Sequence, residues 1–132
     1  MNPAASTLPP VRLAIVDDHI LFRKGLMALL GGYQGIEVVC EAGNGQELLE
    51  CLDQGVRPDV ALMDMQMPVL DGLQTTRLLR SQFPWVRVVI ISMHDDASLV
   101  STVLADGAHS YLLKNTSPEE MRSAIMAAAG RS

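Results

Sequence analysis

The sequence predicts an α/β domain in which five parallel strands alternate with five helices that cover both faces of one sheet. Three observations lead there. Short apolar runs alternate along the chain with segments of helical period. No internal repeat or low-complexity tract interrupts that alternation. The 132 residues, 48% hydrophobic and 19% charged, fit one domain able to bury roughly two thirds of its unfolded surface.

In chain order, VRLAIV (Val11–Val16) is a first strand, and Phe22, Leu26, Leu29 and Leu30 then recur at helical spacing up to Gly31-Gly32. IEVVCEA (Ile36–Ala42) is a second strand, and QELLECLDQ (46–54) a helix that Gly55 stops. DVALM (59–63) is the third strand; Asp71-Gly72 makes a turn into the helix GLQTTRLLRSQF (72–83), which breaks at Pro84. VRVVIIS (86–92) is the most continuous apolar run and is therefore expected near the middle of the sheet. ASLVSTVLAD (97–106) is a fourth helix stopped by Gly107, and SYLL (Ser110–Leu113) a short fifth strand. Ser117 as N-cap, Pro118 at the first helical position and Glu120 completing a capping box open the last helix, with Met121, Ile125 and Ala128 as its apolar stripe. MNPAASTLPP (1–10) and GRS (130–132) read as tails around a domain at 11–129.

Charge and composition exclude several functions. A net charge of −5, with ten basic residues in no cluster, argues against direct nucleic-acid binding by this chain. Cys40 and Cys51 are too few for a zinc site and lie among apolar neighbours, as buried free thiols of a reducing cytoplasm would. No apolar stretch reaches the roughly 18 residues of a membrane span.

Ligands of parallel sheets bind at the carboxyl ends of the strands. Asp17 and Asp18 follow strand one, Asp64 strand three, Ser92 strand four and Lys114 strand five, whereas strand two ends in Glu41-Ala42-Gly43 and joins no such set. Singly, each has a plain reading: a helix cap, a turn residue, a solvated lysine. Arriving together at one edge they do not. Three packed carboxylates repel and need a cation, and oxygen ligands without dedicated His or Cys suit Mg²⁺. A divalent ion beside an ammonium and a hydroxyl suits a phosphoryl group, and a carboxylate can itself be the nucleophile. Asp64, alone on its strand and facing the other two, is the natural acceptor.

VDDH, LMDMQMPVLDG, IIS and YLLKN, in this order and spacing, resemble the receiver domain of two-component response regulators over about 11–129. DDHILFRKGLMALL further resembles the NarL/FixJ subfamily, whose members usually carry a helix-turn-helix domain that this chain does not contain. The resemblance implies a flavodoxin-like fold with strand order 2-1-3-4-5, which the periodicities do not supply. It implies that a sensor histidine kinase phosphorylates Asp64 in a Mg²⁺-dependent reaction, in a cytoplasmic protein that catalyses only its own phosphorylation and dephosphorylation. Asp17, Asp18, Asp64 and the backbone carbonyl of Gln66 would hold Mg²⁺, with Asp18 a more direct ligand than Asp17. Lys114 would pair with the phosphoryl oxygens, Ser92 and Tyr111 would form the switch, and the side chains of Gln66 and His94 would tune hydrolysis. The fourth helix, fifth strand and fifth helix would form the output face, with a homodimer on phosphorylation as one outcome. The chain would be either an excised regulatory part of a transcriptional regulator or a regulator working through protein contacts.

One departure bears on the site: Asn115 follows Lys114 where many receivers have Pro, so a trans bond is expected, a non-proline cis bond costing about 3 kcal/mol. Two other classes remain open. An aspartate-nucleophile phosphatase would have a second Asp where this chain has Gln66, and a pseudo-receiver would serve only as an interaction module. Met63, Met65 and Met67 read as gap-fillers, His19 as a helix-entry residue, His109 as a residue without a partner, and Trp85 as lying at the far end of the sheet from Ser92.

Overall fold

The structure, a computed structural model, describes residues 8–131. Most of the expected tail at 1–10 (residues 1–7) and Ser132 lie outside those residues. The elements run β1 (Val11–Val16), α1 (Ile20–Gly31), β2 (Ile36–Ala42), α2 (Gly45–Asp53), β3 (Val60–Asp64), α3 (Gly72–Gln82), β4 (Arg87–Ser92), α4 (Ala97–Ala105), β5 (Ser110–Leu113) and α5 (Pro118–Ala128). All strand pairs are parallel, in the order β2-β1-β3-β4-β5.

Strand alternation divides the interior into two cores. Leu13 and Ile15 of β1, Val60 and Leu62 of β3, and Val89 and Ile91 of β4 meet Leu26 and Leu30 of α1 and Met121, Ile125 and Ala128 of α5. The intervening Ala14, Val16, Ala61, Met63, Val88 and Ile90 meet Leu48 and Leu52 of α2, Leu79 of α3 and Val103 of α4. A period of two in a strand buried on both faces produces this split. The order reverses beside β1, where β2 lies on one side and β3 on the other, so the ends of β1 and β3 flank the crevice open to ligands.

VRVVIIS lies near the middle of the sheet as expected, beside the central strand β3, which is buried at all five residues. Every inner strand of such a sheet is apolar on both faces, so run length does not rank them. Several details differ from the sequence reading. Leu29 is exposed, because the turn of α1 places Leu26 and Leu30, not Leu29, over the sheet. Cys40 is buried but Cys51 only half so, both as free thiols. Ser117 Oγ accepts from Glu120 N at 3.2 Å, yet the return bond of a capping box is absent among the described residues. The full box stands at α3, where Asp71 accepts from Gln74 N at 2.8 Å and Gln74 Oε1 accepts from Asp71 N at 3.1 Å. Past residue 129, Gly130 at φ +79° lets its own amide and that of Arg131 donate back to Ala127 and Met126 and close α5.

Candidate functional site

The turn from β1 into α1 carries the acidic pair. Asp17 is fully buried; its amide donates to Ala42 O of β2 at 3.0 Å, and its Oδ1 accepts from His19 N at 2.7 Å. That leaves Asp17 Oδ2 without a hydrogen bond, 2.9 Å from Lys114 Nζ. The contact has the length of an ion pair without hydrogen-bonding geometry. Asp18 is exposed, and His19 takes the N-cap position with no side-chain bond, a helix-entry role. Strand two adds no member to the acidic cluster, as expected, but it supports the turn that carries Asp17. Arg23 Nη1 donates to Asp17 O at 2.6 Å while its Nε donates to Glu41 Oε2, at the end of β2, at 2.7 Å.

Asp64 is the last residue of β3, in register with Ile91 of β4, and is 7% exposed. Burial and the charge of Asp17 push its carboxyl above the usual range; Lys114, 3.3 Å away, and the Gln66 amide pull back only part of that rise. Lys114 answers in kind. Burial alone would lower its pKa, but Asp17 and Asp64 raise it, so it stays an ammonium.

The chain after Asp64 must turn back at once. Gly72 N donates to Met65 O at 2.8 Å, and Val69, exposed at φ +68°, is the centre of a tight turn in which Leu70 N donates to Pro68 O at 2.7 Å. A Cβ on Gly72 would stand 2.6 Å from Asp64 O and 2.8 Å from Met65 Cα, so this closure needs glycine. Gln66 is exposed on the rim.

Ser92 ends β4, buried, and its carbonyl accepts from Lys114 N at 2.8 Å. Ser92 Oγ accepts from His94 N at 3.2 Å, and Tyr111 Oη donates to His94 O at 2.6 Å. One peptide segment thus links the hydroxyl to the aromatic. The His94 side chain is exposed, and neither it nor Gln66 makes a side-chain hydrogen bond among the described residues. No peptide bond is cis among the described residues, the one after Lys114 included. Phe22, part of the apolar stripe of α1, also places its ring centroid 4.5 Å from Lys114 Nζ, a cation–π contact on the ammonium that faces the carboxylates. Trp85 packs on Phe83 and Arg57 before β4 begins, at the amino ends of the strands with His109 and Asp59.

The donor set fits a divalent cation. One oxygen each from Asp17, Asp18 and Asp64 lies within 4.8 Å of the others, a spacing at which like charges repel by roughly 3 kcal/mol per pair at an effective dielectric near 20. Three carboxylates against one ammonium leave two negative charges in excess. The buried Asp17 Oδ2 accepts no hydrogen bond and meets the Lys114 ammonium only as an ion pair at 2.9 Å, which leaves lone-pair capacity for a cation. Oxygen-only ligation on a half-open rim suits Mg²⁺, which keeps several waters.

Known proteins match this architecture. The family model of the response regulator receiver domain matches residues 13–126. The transcriptional regulatory protein MctR of Rhizobium johnstonii is 40% identical over 122 residues, 92% of this chain and 56% of that protein. The nitrate/nitrite response regulator protein NarL of Escherichia coli is 37% identical over 126 residues, 95% of this chain and 58% of that protein. The chain spans little more than half the length of these curated relatives. Among solved structures, the signal receiver domain of a response regulator named NarL from Mycobacterium tuberculosis superposes with a TM-score of 0.87 at 37% identity, covering 93% of this chain and 98% of that one. The family match takes in the whole acidic cluster, Lys114, and part or all of every strand and helix, and the chain belongs to the response regulator receiver domain family.

Proposed function

We propose that Asp64 is the phosphoacceptor and takes its phosphoryl group from a phosphohistidine of a sensor histidine kinase in a Mg²⁺-dependent reaction. The observation that carries this is the placement of Lys114 Nζ between Asp17 and Asp64, with Asp18 completing the acidic cluster. Asp17, Asp18, Asp64 and the Gln66 carbonyl are the residues to hold Mg²⁺, which supplies charge neutralisation for the phosphoryl oxygens. The Asp64 carboxylate attacks phosphorus in line; the phosphorus–nitrogen bond breaks, and the imidazole leaves with the bonding pair. Lys114 pairs with a phosphoryl oxygen, and the Ser92 hydroxyl donates to another. Doing so turns Ser92 Oγ away from His94 N, and the His94 segment carries the change to Tyr111. The output is a shift in population at the face of α4, β5 and α5, with dimerisation as one consequence. Gln66 and His94 border the path of the hydrolytic water. The domain spans 11–129 and is the cytoplasmic regulatory part of a transcriptional regulator; no helix among the described residues is long and apolar enough to cross a membrane.

Intact-mass analysis after incubation with acetyl phosphate tests this. One phosphoryl group is expected, only with Mg²⁺, and none on Asp64→Asn. Full labelling of Asp64→Asn would remove the assignment.

A further inference from the structure

We propose that Arg23 is a positioning residue for the divalent cation, acting through the backbone carbonyl of Asp17 with Glu41 as its anchor. The proposal rests on the reading of the acidic cluster as a cation site. Arg23 lies in the first turn of α1, and its side chain is only 14% exposed. It is therefore not one of the solvated surface pairs that contribute little. Its Nη1 donates to Asp17 O at 2.6 Å and its Nε to Glu41 Oε2 at 2.7 Å. Both bonds are charge-assisted and short.

The carbonyl it grips belongs to the peptide that joins Asp17 to Asp18. Asp17 N is already held by Ala42 O at 3.0 Å, so β2 fixes the residue on one side and Arg23 on the other. With Oδ1 taken by His19 N, the direction of Oδ2, which meets the Lys114 ammonium at 2.9 Å, follows from how the backbone of this turn is held. The same peptide plane sets where the Asp18 side chain begins. Glu41 thus enters the site at one remove, as the residue that aims Arg23. The planar fork meets the carbonyl and the carboxylate from two nitrogens held in fixed geometry; a lysine keeps the charge but offers one nitrogen and cannot reproduce both bonds at their present positions.

Charge and positioning predict opposite signs here. Removing a cation beside an acidic cluster strengthens its attraction for Mg²⁺, whereas releasing the turn weakens binding. Lys24 supplies the control, since it pairs with the same Glu41 at 2.8 Å, is 57% exposed and makes no hydrogen bond or ion pair with Asp17 among the described residues.

The experiment is a Mg²⁺ titration of the whole chain followed by the amide shifts of Met65 and Gln66, for wild type, Arg23→Ala, Arg23→Lys and Lys24→Ala. Outer partners of metal ligands are worth about 10- to 100-fold in affinity, so the Mg²⁺ dissociation constant should rise about tenfold or more in both Arg23 variants. Lys24→Ala should stay within about twofold. At limiting Mg²⁺, acetyl phosphate labelling should slow in both Arg23 variants in step with the lost affinity, and keep its wild-type rate in Lys24→Ala. Arg23→Lys carries the test if Arg23→Ala does not fold. Unchanged or tighter Mg²⁺ binding in Arg23→Ala, full recovery in Arg23→Lys, or an equal loss in Lys24→Ala would each overturn the proposal. Affinities shifted as stated in a protein that takes no phosphoryl group would remove the phosphoacceptor reading and leave this one standing.

Discussion

Gly72→Ala offers the sharpest perturbation of the acceptor that leaves every polar group in place. The added Cβ would meet Asp64 O at 2.6 Å and Met65 Cα at 2.8 Å, where ordinary contact begins at 3.4 Å. Both obstacles are backbone and cannot rotate aside, so α3 and the end of β3 must part by about 0.8 Å, the gap between those contact distances. Overpacking of this kind typically costs about 1–3 kcal/mol. Taking about 2 kcal/mol, and roughly 3–5 °C per kcal/mol for a domain of this size, the melting temperature should fall by about 6–10 °C. Displacement of a reacting group by about 1 Å can cost about 100-fold in rate, so labelling by acetyl phosphate should slow about 10- to 100-fold. Thermal melts in EDTA and time-resolved intact mass measure the two effects separately. Gly25→Ala is the matched control: no atom lies within 4 Å of its added Cβ in the exposed middle of α1, so it should gain about 0.5–1 kcal/mol. A Gly72→Ala protein that melts and labels like wild type would refute the reasoning.

Asp64 is held above the usual carboxylate range, first by burial and then by Asp17. The stability it contributes is present at acid pH and lost as pH rises through its folded pKa. Metal-free Asp64→Asn should therefore gain on wild type as pH rises from about 4, the usual carboxylate value, in melts with EDTA; a gap that narrows as pH rises would reverse the sign. Ser92→Ala should still accept a phosphoryl group but show smaller amide shifts near Tyr111 on phosphorylation, and shifts equal to wild type would break the coupling. His94→Ala should shorten the lifetime of phosphorylated Asp64 without slowing its formation, as measured by decay after donor removal; a longer lifetime would mean that the imidazole assists the water. Mg²⁺ should leave Trp85 fluorescence nearly unchanged, because the indole sits at the amino ends of the strands with Arg57 and Asp59, and strong quenching would place the cation elsewhere.

The acceptor cluster is legible in the sequence because its members terminate strands, and apolar runs mark strand ends well. Asp64 proves to be the last strand residue itself, a shift of one position that leaves it at the same edge, while Ser92 ends its strand as VRVVIIS implies. Strand order is a different matter. Periodicity says that a strand is buried on both faces but not between which neighbours, so VRVVIIS and VALM could not be ranked without the family resemblance. The supports of the site were hidden for a further reason. Arg23 and Glu41 are 18 residues apart on a helix and a strand, and no local pattern announces that they meet. Phe22 satisfied the apolar stripe of its helix and so gave no sign that its ring also faces Lys114. Capping showed the limit of local rules: Ser117-Pro118-Glu119-Glu120 has the letters of a box and makes half of one, while Asp71 and Gln74 make both bonds.

Tyr111 grips the carbonyl of residue 94, and Ser92 receives the amide of that same residue. Neither bond involves the imidazole. Any amino acid but proline can serve as that link, so the lever from hydroxyl to aromatic is indifferent to what residue 94 carries. Gln66 stands in a similar position if its carbonyl serves the cation and its side chain does not. On the proposed reading, in which Gln66 and His94 adjust the persistence of the signal, both positions are free to mutate without dismantling the device that transmits it. A lineage can lengthen or shorten the memory of a stimulus by single substitutions, with the vocabulary of downstream contacts left as it was.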